Sequence, residues 1–500
     1  MTAKTLMVQG SSSSAGKSLL VAALCRHYAR LGVCVAPFKA QNMSNNAAVC
    51  PDGSEIGRAQ AVQAAAAGLK PHVDMNPILI KPESNARSQV IVNGRPWQTL
   101  EARTYYQHHD DLWKQITTSL EHLQEKYELV IIEGAGSPVE LNLKQGDMVN
   151  MAVASHVQAP VLLVGDIDRG GIFAQLLGTL WLLPSEERRL VRGLVVNKFR
   201  GDITLFDEGI RLLEKLGDVP VLGVIPYLHG LSLPEEDAVA LDTHSSPEPG
   251  RAGDLEVVVI RLPHIANFDD FDALAAEPGV RVRYIHTALE FGKPRAIVIP
   301  GTKSTVADLE WLRRQGLAEL IIEHAQLGGA VVGICGGYQM LGRSIFDPDH
   351  IESPVSYTPG LNLLPVETHF ISMKATYQVN AKILSRLAWL ATLTGQEVSG
   401  YEIHMGHTST RLAWLKITHR NGQPADIADG AINSDGQVWG CYIHGLFENS
   451  LLRRAWLGSL GWTGTEQNVQ DPVHTSLDRL ADTVAAALNM DLLERIIWDG

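Results

Sequence analysis

The stretch Leu6-Met-Val-Gln-Gly10-Ser-Ser-Ser-Ser-Ala-Gly16-Lys17-Ser18 decides how the chain folds. An apolar run, a turn of glycine and serine, and a Leu/Ala-rich segment at 19–31 follow one another, the order of strand, loop and helix. Small residues let backbone N–H groups turn inward around an anion, and the positive end of the helix dipole faces the same point. Gly10, Ser11, Ser14, Ala15, Gly16 and Lys17 are therefore expected to cradle the phosphates of ATP. Lys17 adds a mobile charge for the β- and γ-phosphates, and the Ser18 hydroxyl is a ligand for Mg2+. Ser11 occupies the place of the first glycine in the usual G-x-x-x-x-G-K-[ST] spacing, so the loop is a longer form.

Outward from this loop, short β-rich apolar runs alternate with helical stretches: Leu6–Val8, Leu129–Ile132, Val161–Val164, Leu194–Val196, Val257–Ile260, Ala296–Ile299 and Ala330–Ile334. Runs that are apolar on both sides of the pleat are strands buried on both faces, and strands of that kind build a parallel sheet covered by helices. The fold class is α/β. Three polar residues close such runs. Glu133 and Asp166 are placed to reach a metal with Ser18, and Asn197 to read adenine at the carboxyl edge of the sheet. Each alone is as well explained as a cap on the next helix, but together they favour one nucleotide site, and hard oxygen ligands suit Mg2+.

The chain has 500 residues, more than one core accommodates. The polar, proline- and glycine-containing stretch DTHSSPEPGRAGD at Asp242–Asp254 divides it. We expect an ATP-binding domain at 1–240, a linker at 241–254, a second domain at 255–450 and a helical extension at 451–500. From Pro472 onward, Leu477, Leu480, Ala481, Val484, Ala485 and Leu488 fall on one helical face. A formal net charge of −13 argues against nucleic acid or an anionic membrane as partner. Five scattered cysteines without C-x-x-C spacing fit a reducing compartment rather than a disulfide framework. With no signal-peptide pattern and no long apolar run, a cytoplasmic protein is expected. A homo-oligomer is compatible with this sequence.

A second motif lies in the second domain. Gly333-Ile-Cys335-Gly336-Gly337 follows the apolar run AVVGI, and small residues two positions either side of Cys335 allow a sharp strand-to-helix elbow. Such a turn lifts the thiol above the sheet, where a helix N-terminus stabilises a thiolate and offers backbone N–H groups to an oxyanion. Gly336 is one expected donor. The turn Pro300-Gly-Thr-Lys-Ser304 supplies another, from Gly301 or Thr302. A thiol nucleophile needs a base, and His444, which ends a short apolar run beside Gly445, is the candidate among 18 histidines.

The Cys335–His444 pair resembles the class I glutamine amidotransferases, whose second domain is flavodoxin-like. Most of that class carry a Glu two residues after the His, and here that position is Leu446. The resemblance leaves two alternatives: a Cys335–His444 dyad, or another carboxylate, such as Glu448, orienting the ring. The longer phosphate loop resembles the dethiobiotin-synthetase-like branch of phosphate-loop enzymes. Fused in this order, the two halves resemble the cobyric and cobyrinic acid amidases of cobalamin synthesis, the CobB/CobQ family. Lys39-Ala-Gln-Asn-Met-Ser-Asn-Asn46, Glu55-Ile-Gly-Arg-Ala-Gln60, Asn76-Pro-Ile-Leu-Ile-Lys-Pro82, Asp166-Ile-Asp-Arg-Gly-Gly171, Tyr401-Glu-Ile-His-Met-Gly406 and His444-Gly-Leu-Phe-Glu-Asn449 carry that likeness in the family's order.

The resemblance implies glutamine as ammonia donor, ATP with Mg2+, and a corrinoid substrate. The segment at 39–46 looks like the branch that amidates the b, d, e and g propionates of an adenosylated a,c-diamide, not the branch that makes the a,c-diamide. Lys39, Asn42, Asn45 and Asn46 are then expected to hold substrate carboxylates and amides, and Tyr401–Gly406 to line the interface between domains or touch the corrin. The alternatives are the a,c-diamide-forming relative, an amidase of another acid, and a non-catalytic ATP switch of the partitioning type. The last gives Cys335 no role.

Overall fold

A computed structural model describes residues 2–83, 87–234, 254–411, 413–464 and 472–499. The linker expected at 241–254 lies, apart from Asp254, outside the described residues.

The first sheet runs, in spatial order, Val221–Pro226, Val191–Phe199, Val161–Asp166, Lys4–Gly10, Leu129–Glu133 and Val35–Phe38. All five pairings are parallel. Leu129–Glu133 is buried at every position, as expected of a strand covered on both faces. The register aligns Val8 with Glu133 and Asp166 with Asn197, so the polar strand ends gather at one carboxyl edge beside the loop that follows Gly10. The helix Lys17–Arg30 leaves that loop and buries Leu20, Val21 and Leu24.

Of the extension expected at 451–500, the helix Ser450–Ser459 packs Leu452, Trp456 and Leu457 into the second domain's core, and the part from Pro472 returns to this first sheet. Pro472–Ala487 and Met490–Trp498 are helices, and Leu477, Leu480, Val484, Leu488, Leu493 and Ile497 join one apolar cluster with Leu6, Val8, Leu20 and Leu24. Arg26 and Arg30 fix the register through Asp478 at 2.8 Å and Asp482 at 2.7 Å. These surface pairs contribute little; the buried apolar face holds the helices.

The second sheet is ordered Val280–Ile285, Leu255–Ile260, Ala296–Ile299, Ala330–Ile334, Val438–Cys441 and Ala431–Ile432, parallel except for the last pair. Trp414, Trp439 and Trp456 are fully buried against it. Two larger sheets and a two-stranded pair, Ala47–Val49 with Glu55–Gly57, go beyond the parallel pattern read from the apolar runs. Glu367–Ile383 pairs antiparallel with Glu397–Ser409 and Leu415–Arg420. In the first domain, Gln41–Met43, Ile78–Pro82, Arg87–Val92 and Arg95–Glu101 form a four-stranded sheet. Ala47, Val49, Leu79 and Ile91 from the first domain share an apolar cluster with Tyr401 and Ile403 from the second, so these extra sheets meet where the domains meet.

No helix among the described residues is long and apolar enough to cross a membrane.

Candidate active sites

At the first site, Gly16 has φ +98°, and a Cβ there would lie 2.1 Å from the Asn197 amide nitrogen, so both the backbone angle and the packing require glycine. The Lys17 ammonium folds back over the loop, donating to the carbonyls of Ser12 (2.8 Å), Ser13 (3.2 Å) and Gly136 (3.1 Å). Ser18 Oγ donates to Glu133 Oε1 at 2.8 Å. Glu133 is buried and also accepts from Lys39 Nζ at 2.9 Å and Gln63 Nε2 at 2.5 Å. Burial pushes its carboxyl upward, but Lys39, Gln63 and Ser18 together outweigh burial and hold it below the usual range. A serine hydroxyl beside an ionised carboxylate suits Mg2+, which keeps several waters and takes few protein ligands.

Three of the expected residues have partners within the protein here. Lys39, expected on the substrate, is ion-paired to Glu133. Asp166 pairs with Lys198 at 2.9 Å, and Lys198 also donates to the Ser14 carbonyl at 2.7 Å. Asn197 donates to the Ala15 carbonyl at 2.9 Å and accepts from the Lys198 N–H at 2.9 Å, so its amide braces the loop from beneath. Lys198, with φ +62°, is a second cation at the loop that the motif reading passed over. Asn42 donates to Gln60 Oε1 at 2.8 Å, and Asn46 accepts at its carbonyl from Arg58 N–H.

At the second site, Cys335 has φ +50° and ψ −106°, outside the usual regions for a residue with a side chain. Its flanking glycines are needed. A Cβ at Gly337 would lie 1.9 Å from the Ile299 carbonyl, and one at Gly333 would meet Gly337 backbone at 2.7 Å. The helix Gly336–Leu341 follows directly, and the thiol donates to the Ile403 carbonyl at 3.6 Å. Gly336 faces the turn of the neighbouring strand, its Cβ position 3.2 Å from the Thr302 backbone nitrogen. Gly301 instead abuts the His444 ring, its Cβ position 2.8 Å from Cε1.

His444 is buried, and Cys335 lies close enough to help raise its pKa. Its Nδ1 meets Asp270 Oδ2 at 2.7 Å, while Asp270 Oδ1 accepts from the Gly445 N–H at 2.7 Å. Burial pulls the ring's pKa down, but the Asp270 carboxylate and Cys335 outweigh it and raise it to about 10. With Nδ1 committed to Asp270, Nε2 is the nitrogen left for the sulfur. Tyr401 stacks on the ring, centroids 5.3 Å apart, and the two residues exchange both backbone hydrogen bonds.

Of the two alternatives, the geometry is that of another carboxylate orienting the ring, not that of a bare dyad. His444 has a carboxylate partner, and that partner is Asp270 rather than Glu448. Leu446, at the position where most relatives of the class carry Glu, is packed in the apolar core. Asp270 lies 174 residues upstream in Asn267-Phe-Asp-Asp-Phe271, within the short turn of helix Phe268–Phe271. An acidic pair flanked by two aromatics was the available signal, since buried acids require partners.

The two halves match two known domain families: residues 6–239 the CobQ/CobB/MinD/ParA nucleotide binding domain, and residues 256–451 the CobB/CobQ-like glutamine amidotransferase domain. A nucleotide-binding domain joined to a glutamine amidotransferase domain is the class that the fold and its two sites define. Among curated relatives, the cobyric acid synthase of Chloroflexus aurantiacus is 54% identical over 99% of this chain and 100% of its own length. That of Roseiflexus castenholzii is 54% identical over 98% of each, and that of Moorella thermoacetica 47% over 100% of this chain and 99% of its own. The chain belongs to the cobyric acid synthase family, glutamine-dependent, ATP-using amidating ligases of cobalamin biosynthesis.

Proposed function

We propose that the chain amidates the b, d, e and g propionates of adenosylcobyrinic acid a,c-diamide, using an acyl phosphate in the unit at 1–240 and glutamine-derived ammonia from the unit at 255–450. The observation that carries this reading is the line Cys335–His444–Asp270, packed through Tyr401 against the domain that holds Lys17, Ser18 and Glu133.

In the second unit, Cys335 attacks the glutamine carboxamide, with Gly336 N–H and an N–H of the turn at Gly301–Thr302 meeting the oxyanion. His444 passes its proton to departing ammonia, and water clears the thioester. A cationic ring beside a sulfur is the general arrangement that favours thiolate attack. In the first unit, Lys17 and the carbonyls it orders hold the loop for the triphosphate. Bound ATP would supply the phosphoryl group that activates a carboxylate, and Ser18 and Glu133 would hold Mg2+, whose charge would offset that of the phosphates. Lys198 and Asp166 stand beside the same loop. Of the residues expected on the corrinoid, Asn45 retains a buried side-chain oxygen without a hydrogen-bond partner, an acceptor suited to an amide donor.

The direct test is to incubate the protein with the a,c-diamide, ATP, Mg2+ and glutamine and to follow the product by mass spectrometry. Four successive replacements of hydroxyl by amino are expected, with none when ATP is omitted. Accumulation of any other number at completion rejects the assignment of propionates.

Lys17→Ala is expected to lower ATP-dependent amidation about 10²–10³-fold, the scale for removing one positioned donor from a developing anion. Basal glutaminase activity stays close to wild type, because the carbonyls of Ser12, Ser13 and Gly136 that Lys17 holds lie within the first domain. ADP release and ammonia release, measured in parallel, check this. Loss of both together would show that the two sites are not separable.

A further inference from the structure

Resting on the glutaminase reading of Cys335 and His444, we infer that Arg58, a residue of the nucleotide-binding domain, is a positioning residue for the glutaminase histidine, acting across the domain boundary through Asp269 and Tyr401.

Arg58 begins the helix Arg58–Ala66, where a cation opposes the helix dipole. Its side chain is only 13% exposed, and its guanidinium groups with partners in both domains. Its Nε is 3.0 Å from Asp269 Oδ2, one terminal nitrogen donates to the Ala47 carbonyl at 3.1 Å, and the same nitrogen contacts the Tyr401 hydroxyl. The guanidinium carbon also lies 5.2 Å from the Tyr401 ring centroid. Both second-domain partners lead to His444. Asp269 is the chain neighbour of Asp270, which holds Nδ1, and Tyr401 stacks on the imidazole and shares two backbone hydrogen bonds with it. One planar fork thus fixes the carboxylate side and the face of the same ring.

Lysine, a single point charge on a flexible stem, does not reproduce a fork that spans an acid, a hydroxyl and a carbonyl. The anchor is also rigid. The same nine-residue helix carries Gln63, five positions later, hydrogen-bonded to Glu133 Oε2 at 2.5 Å and to the Ser18 carbonyl at 3.3 Å. Five residues of helix span about 7.5 Å, so the same short rod reaches the nucleotide-site carboxylate through Gln63 and the glutaminase histidine through Arg58 and Tyr401.

These contacts run between the domains and to the groups around His444, so they set geometry and do not bind glutamine. The expected signature of Arg58→Gln in the full-length protein is therefore a fall in glutaminase kcat of about 10–100-fold, the scale of a misplacement near 1 Å, with KM for glutamine within about twofold. Amidation driven by ammonium salt, which bypasses His444, remains within about twofold of wild type. Arg58→Lys recovers only part of the lost kcat. Tyr401→Phe, which removes one partner atom and keeps the ring, loses several-fold in kcat in the same direction and serves if Arg58→Gln does not fold.

An unchanged glutaminase kcat in Arg58→Gln overturns the inference. So does an equal loss of ammonium-driven amidation, which would make Arg58 a support of the first domain alone. Cys335→Ala, run beside these variants, separates the two levels. If it keeps glutaminase activity, the underlying reading has failed; if it loses that activity while Arg58→Gln keeps it, only the role of Arg58 has failed.

Discussion

Replacing Cys335 by Ala is expected to lower ammonia release from glutamine by on the order of 10⁴-fold or more, because no other group can form the thioester. Amidation from added ammonium salt at mildly alkaline pH is expected to stay within roughly twofold of wild type, since distant, unshared sites behave independently. The change removes one sulfur and its weak hydrogen bond to the Ile403 carbonyl. It leaves the elbow, whose shape is set by the glycines on either side. The variant should therefore fold, and a dead variant unable to use ammonium would show damage beyond the thiol. Product formed from glutamine at wild-type rate would mean that the nucleophile lies elsewhere. It would also revive the reading in which the phosphate loop serves a switch rather than a synthesis.

Asp270→Asn is the second large effect. The substitution keeps the shape of the side chain but removes the charge that holds the His444 pKa at about 10. Burial then acts with less opposition, and the pKa falls. An Asn amide both donates and accepts, so it no longer specifies which ring nitrogen carries the proton. The loss in glutaminase kcat is expected to approach the 10⁴-fold scale known for a triad carboxylate made neutral. Stability carries a second readout. A histidine whose pKa is raised on folding contributes stability that is fully present below the unfolded value near 6.5 and is lost as pH rises toward about 10. Wild-type protein is expected to lose this contribution across that window, and Asp270→Asn to lack the corresponding slope in melts recorded between pH 6 and 10. Parallel slopes in the two proteins would show that Asp270 does not set the charge of the ring.

The sequence was most legible where burial is two-sided. Ala296–Ile299 and Ala330–Ile334 stand at the bounds read from their apolar runs, because strands covered on both faces leave no polar position to blur their ends. Both loops were legible for a related reason: glycine was forced by positive φ at Gly16 and by backbone approach at Gly333 and Gly337. Strands of the antiparallel layers escaped a search for continuous apolar runs. Glu367–Ile383 alternates buried and exposed residues at its ends, and Arg95–Glu101 is almost wholly exposed.

At the candidate sites, local pattern singled out Cys335, His444 and Lys17 but not the groups that the fold places around them. Asp270 was missed because the search for an orienting carboxylate looked only downstream of the histidine, and the partner comes from a turn that only the closed sheet brings beside it. Lys39 was read as a substrate contact because a lysine in a polar segment has no visible partner in one dimension. Its nearest acid, Glu133, lies on the adjacent strand of the sheet.

The return of residues 472–498 to the first sheet has a consequence for how the molecule is made. A ribosome delivers the phosphate loop first and its covering helices last, with the whole glutaminase unit between. Leu6, Val8, Leu20 and Leu24 therefore emerge long before Leu477, Val484 and Leu493 arrive to cover them. The thiol-bearing half is free to close on the nascent chain while the nucleotide-binding half still has a bare apolar flank. Topologically, the glutaminase is an insert within the domain it feeds, and cutting the gene at the linker would give one half that is whole and one that is not.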